Sequence, residues 1–98
     1  MKHIVRSCGD DCYFTFDPDQ ADRISHYEWD GGLGHTTESI FRTKGGRYFQ
    51  QICYPDETVY EHLNIFQAVD HYIISLDGAA TEEDLRKVFG EEFQCREG

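Results

Sequence analysis

The stretch "TESIFRTKGGRYFQQICY", Thr37 to Tyr54, constrains the fold more than any other part of the chain. Two runs rich in β-branched and aromatic residues flank Lys44, Gly45 and Gly46, the sequence form of a tight β-hairpin. The glycines supply the positive φ that such turns require. The basic residues around the turn have a plain structural reading, because turn tips project into water and edge lysines discourage strand-to-strand aggregation.

The flanking sequence fills out this hairpin. "CYFTFD" predicts a strand from Cys12 to Phe16, stopped by Asp17 and Pro18, and "DRISHYEW" predicts a second, ended by Asp30, Gly31 and Gly32. The "DGGLGH" segment is expected to be a flexible loop. In "PDETVYEHLNIF", Val59, Tyr60, Leu63 and Phe66 recur at helical spacing behind the acids Asp56 and Glu57, which predicts a short helix. "DHYIISL" then reads as a largely buried strand. "TEEDLRKVF" predicts a helix with Thr81 as N-cap, Asp84 three residues on, and Arg86 and Lys87 later. The sum is an α+β fold: one domain over residues 1–98, built as an antiparallel sheet of about four to five strands with one or two helices on one face. The other face is expected to lie open to water, where it can carry carboxylates in rows. Phe14, Phe16, Phe41, Phe49, Ile74, Leu85 and Phe89 are the expected core.

Charge narrows the partners. Nineteen Asp and Glu stand against nine Lys and Arg, a formal net of −10, which repels nucleic acid and anionic membranes and attracts basic protein surfaces. Between Arg47 and Arg86 there is no Lys or Arg, although Asp56, Glu57 and Glu61 fall in that interval. From Asp10 to Asp30, the acids Asp10, Asp11, Asp17, Asp19, Asp22, Glu28 and Asp30 face Arg23 alone. Exposed ion pairs contribute only about 0 to 1 kcal/mol, whereas Trp and Tyr anchors often exceed about 2 kcal/mol. Tyr27, Trp29, Tyr54 and Tyr60 each lie beside acids and complete the predicted partner-binding set.

Other chemistries find less support. Cys8 and Cys12 form one close pair with no second pair to complete a zinc site, and Cys12 and Cys53 read as small buried hydrophobes on strands. Asp17, Asp19 and Asp22 resemble the start of a calcium loop, but its sixth position holds Asp22 where glycine is needed. A thiol nucleophile, Cys12 or Cys53, with His35 as base lacks every local signature of hydrolases and metalloproteases. "DGGLG" leads into a strand pattern and so is no phosphate-binding loop. A non-enzyme without cofactor or metal is expected. The segment after Met1 has no apolar signal-peptide core and no run approaches the roughly 18 apolar residues of a membrane span, so a cytoplasmic location is expected.

At Glu38 to Phe49, "ESIFRTKGGRYF" resembles a strand-turn-strand motif, E-[ST]-[LI]-[YF]-R-T-x-x-G-x-[YW]-F, of small uncharacterised proteins of bacteria, phages and mobile elements. "DPDQADRI" is similar to the D-x-x-x-A-x-x-[IV] segment that precedes the motif there, and "YIISLDGAATEEDLRKVF" to the closing elements. The likeness covers most of residues 12 to 90 and implies a fold core without assigned chemistry. After Phe49 the chain departs from the pattern, which marks Asp56 to Phe66 as a segment with its own role. By size and charge the chain also resembles phage anti-CRISPR inhibitors, acidic proteins that occupy cationic nucleic-acid channels. The expected function is an inhibitor covering a positively charged, nucleic-acid-binding surface of a host complex such as a CRISPR effector. The alternative is a small non-catalytic binding protein without such mimicry.

Overall fold

The computed structural model describes residues 1–32, 34–91 and 93–97. Its centre is a four-stranded antiparallel meander of β3 (Asp22–Gly31), β4 (Gly34–Arg42), β5 (Tyr48–Cys53) and β6 (Thr58–Leu63), neighbours in sequence being neighbours in space. A smaller antiparallel pair, β1 (His3–Arg6) and β2 (Tyr13–Phe16), precedes it, and two helices, α1 (Ile65–Ser75) and α2 (Glu82–Phe89), follow. The predicted hairpin is present: Phe41 pairs with Phe49 and Arg42 with Tyr48, and Thr43 and Arg47 close the turn, with Gly46 at φ 81°.

Adjacent residues on a strand face opposite ways, so the sheet buries two cores. Phe41 and Phe49 pack with Val5 and Phe16, the Phe16 and Phe49 rings stacking at 4.5 Å. Their neighbours Ile40 and Tyr48 face the other way, where they join Leu63 of β6 and Ala68 of α1. The molecule is therefore a three-layer arrangement: hairpin, sheet, helices. The helices occupy one face as predicted, but the face expected to be open is half covered by β1–β2. β1 pairs with β2 from His3 opposite Phe16 to Arg6 opposite Tyr13, and Val5 is buried where it meets Phe16, Phe41 and Phe49.

Three local expectations are corrected. The segment from Asp56 is not a helix but a turn followed by β6, because Tyr54 donates its N–H to the Glu57 carbonyl at 2.8 Å and Thr58, Val59 and Tyr60 pair along β5. Asp56 and Glu57, which resemble helix-opening acids, are turn residues. "DHYIISL" is not a strand but the second half of α1. Its start is set by a capping box: Asn64 accepts the Gln67 N–H and the Gln67 side chain accepts the Asn64 N–H, both at 2.9 Å. Asp77 and Gly78, both at positive φ, end it. Consequently Ile74 stands 53 % exposed on α1 and is not core, whereas Phe16, Phe41, Phe49 and Leu85 are buried as expected and Phe14 and Phe89 are partly so. Third, Asp30, Gly31, Gly34 and His35 of the expected "DGGLGH" loop are strand residues, β3 and β4 pairing through to Gly31 opposite Gly34, while Leu33 lies outside the described residues. The helix over Glu82–Phe89 forms with the Thr81–Asp84 capping box its sequence predicts.

Candidate functional site at one end of the sheet

Sheet topology places two turns side by side at one end of the meander: that between β3 and β4, and that between β5 and β6. They touch closely enough that a Cβ on Gly34, which sits at φ +111°, would come within 2.9 Å of the Pro55 ring. The other end carries the start of β3, the Thr43–Arg47 turn and the end of β6. Arg23, Arg42, Lys44 and Arg47 all lie at that second end, and the Arg42 guanidinium donates to the Val88 carbonyl of α2 there. Residues 24–41 and 48–85 contain no Lys or Arg. The end with the Gly31–Gly34 and Pro55 turns therefore carries Glu28, Asp30, Asp56 and Glu57 with no arginine or lysine from any strand beside them. At roughly 3.3 Å per residue the two ends of the ten-residue β3 stand about 30 Å apart.

Glu28 and Asp30 lie two apart on β3 and so share a face, that of Phe41 and Phe49 but beyond the cover of β1–β2. His35 reaches them from β4, directly opposite Asp30. Its Nδ1 is 3.0 Å from an Asp30 oxygen and its Nε2 is 2.8 Å from a Glu28 oxygen. Hydrogen bonding to Asp30 and then to Glu28 raises the His35 pKa, and the contacts from His35 and then His26 lower that of Glu28. His26 lies on the same face, with Nε2 at 3.3 Å from the other Glu28 oxygen and Nδ1 at 2.9 Å from the Ser39 hydroxyl. Ser39, His26 and Glu28 form a hydroxyl–imidazole–carboxylate chain, but Ser39 is 4 % exposed and its hydroxyl is not presented to a substrate.

The opposite face of the same end holds a second polar group. Glu38 accepts from the Trp29 indole N–H and from the Gln50 amide, each at 2.8 Å, and the Gln50 amide lies 3.3 Å from His71 Nδ1 on α1. Gln50 is 2 % exposed, so this network fixes Trp29 and docks α1. Trp29 is thereby half-buried and held on the helix face, as is Tyr27, while Tyr54 begins the β5–β6 turn.

Of the residues predicted to bind a partner, Tyr27, Glu28, Trp29, Asp30, Tyr54, Asp56 and Glu57 are brought to this one end. The others are not. Asp10 and Asp11 lie in the β1–β2 turn, where Asp11 is 3.6 Å from Arg6, and Asp22 begins β3 opposite Arg42. Asp17 and Asp19 flank the short 3-10 turn Pro18–Gln20 and hold the N-terminal ammonium at 3.1 and 3.3 Å. The Asp17 carboxyl is lowered below its usual value by the Asp19 N–H and then by that ammonium. Tyr60 turns under β1, stacked on His3 at 4.1 Å, and Glu61 lies mid-strand opposite Gln50. Cys12 is exposed ahead of β2 and Cys53 is half-buried, so neither is the buried strand residue expected. Among the described residues no three His, Cys, Asp or Glu side chains are arranged to hold a metal ion, and no helix is long and apolar enough to cross a membrane.

Sequence reasoning names His35 only as a base for a cysteine thiol, whereas the structure pairs His35 and His26 with carboxylates. Their signal was available: once "EWDGGLGH" is read as a hairpin, the alternation puts Glu28 and Asp30 on the face that His35 shares. Comparison with protein-family models, with curated proteins and with solved structures finds no match to this chain.

Proposed function

We propose that the protein is an acidic binding module that docks the Glu28, Asp30, Asp56, Glu57 end of its sheet onto a positively charged, nucleic-acid-binding surface of another protein, as an inhibitor encoded by a phage or mobile element would. The observation that carries the proposal is the separation of charge along the sheet: carboxylates at one end, with the strand arginines and Lys44 at the other. Cationic side chains placed to neutralise phosphates accept carboxylates equally, and complementary fields accelerate encounter by roughly one to three orders of magnitude at low salt. Same-face residues on a strand recur at roughly 6.6 Å, about twice the 3.4 Å axial rise per phosphate of one DNA strand, so such a row can engage alternate phosphate-binding cations. Of the acids outside this end, Asp11 meets Arg6 and Asp17 and Asp19 meet the N-terminal ammonium, which supports centring the docking surface on the end with Asp56 and Glu57.

The test is a charge reversal at each end, read on a CRISPR effector or other DNA-binding candidate by its salt dependence and by competition with duplex DNA. The pair Asp56→Lys and Glu57→Lys should weaken binding at least about tenfold at low salt while leaving the melting temperature nearly unchanged. Asp10→Lys with Asp11→Lys should change it little. Binding indifferent to salt, simultaneous binding of DNA, or equal loss from both pairs would overturn the proposal.

A further inference from the structure

The contact of His35 with two carboxylates sets a requirement that the fold alone does not satisfy. A neutral imidazole has one N–H and one lone pair, so it can donate to Asp30 or to Glu28 but not to both. With oxygens at 3.0 and 2.8 Å from its two nitrogens, both contacts are hydrogen bonds only in the imidazolium. We propose that His35 is a proton-operated clasp at the acidic end of the sheet: protonated, it ties β4 to Glu28 and Asp30 of β3 and masks two carboxylates; deprotonated, it releases one of them and leaves the end more negative by a full charge. As a regulator of binding, the clasp rests on the docking function proposed above; as a structural device it stands on the geometry alone.

The surroundings do not supply another cation for the job. On the face that His35 shares, β3 contributes His26, Glu28 and Asp30, β4 contributes the neutral Thr37 and Ser39, and the residues aligned beyond them are Cys53 of β5 and Thr58 of β6. The β5–β6 turn at the same end holds Asp56 and Glu57 and adds no Lys or Arg. His26 shares Glu28 but spends its other nitrogen on Ser39, so it makes one carboxylate contact where His35 makes two. Both residues of the pair are solvent-accessible, with His35 and Glu28 side chains 56 % and 53 % exposed, so the proton exchanges directly with bulk water.

Two measurements test this on the intact chain. Imidazole titrations followed by NMR should place His35 above the ordinary histidine range, and Glu28→Gln and Asp30→Asn should each lower it, the pair together returning it to that range. Binding of a nona-arginine peptide at low ionic strength should tighten about three- to tenfold between about pH 6 and pH 8.5, the size expected for unmasking one exposed carboxylate. His35→Gln should remove most of that pH dependence, and His26→Gln little of it. A His35 that titrates in the ordinary range, or ignores both carboxylate substitutions, overturns the clasp. A clasp that titrates as expected beside a peptide affinity unchanged with pH overturns its regulatory role. Peptide binding absent at every pH overturns the docking function instead, and the titration still decides the clasp.

Discussion

Phe49 and Gln50 are neighbours on β5, both almost sealed from solvent, and they illustrate how the two faces of the sheet use their residues differently. Phe49 meets Phe14, Phe16 and His62 in the hairpin core, and Phe49→Ala should cost about 3 to 5 kcal/mol in urea denaturation, as deletion of a buried phenyl ring generally does. Gln50 is tolerated in the other core because Glu38 and His71 meet its amide. Glu38→Ala would leave that amide and the Trp29 indole short of an acceptor, at about 1 to 3 kcal/mol, and Trp29, as the sole tryptophan, should report the change in its emission. A loss well below 1 kcal/mol would mean that water replaces the carboxylate. The pH dependence of the clasp has a definite sign. Because the folded pKa of His35 is raised, its contribution to stability is fully present below the unfolded imidazole value and is lost as pH rises through the folded value.

The secondary elements show where local sequence decides and where it does not. Two capping boxes start the two helices: Asn64 with Gln67, and Thr81 with Asp84. Removal of either cap should cost about 0.5 to 2 kcal/mol of helix stability, but the consequences should differ. α1 is locked into the helix-side core by Ala68 and the His71–Gln50 contact, so Asn64→Ala should lower global stability in denaturant. α2 buries Leu85 alone, so Thr81→Ala should appear chiefly as faster amide exchange within Glu82–Phe89. Equal global losses would show that α2 unfolds with the sheet. The two segments whose elements were misread, at Asp56 and at Asp70, had apolar residues compatible with both periods. β6 was decided by the availability of β5 for pairing, and α1 by a polar cap placed six residues before the run that looked like a strand.

For the whole molecule, a net charge of −10 has a cost that the fold only partly offsets through its ion pairs. Salt bridges such as Glu83–Lys87 at 3.8 Å and the Glu82–Arg86 pair lie along α2, and His35 serves Glu28 and Asp30, whereas Asp56 and Glu57 have no cation among their strand neighbours. Screening should therefore stabilise the protein: calorimetric melting should rise as monovalent salt increases from about 10 to 200 mM, where the Debye length falls from roughly 30 Å to below 10 Å. A melting temperature that falls over this range would mean that attractive pairs outweigh the repulsion.

By itself the sequence determined the α+β class, the central hairpin around Gly45 and Gly46, the helix after Thr81 and most of the aromatic core, because each depends on neighbours within a few positions or on bulk that must be buried somewhere. It also determined the charge, and that Arg47 is followed by no cation until Arg86. Tertiary structure decided which acids from distant segments stand together. Alternation along one hairpin already puts Glu28, Asp30 and His35 on one face, but only the pairing of the whole meander sets the Pro55 turn, next to Asp56 and Glu57, against Gly34; pairing between segments distant in sequence, which no local pattern specifies, is the physical reason.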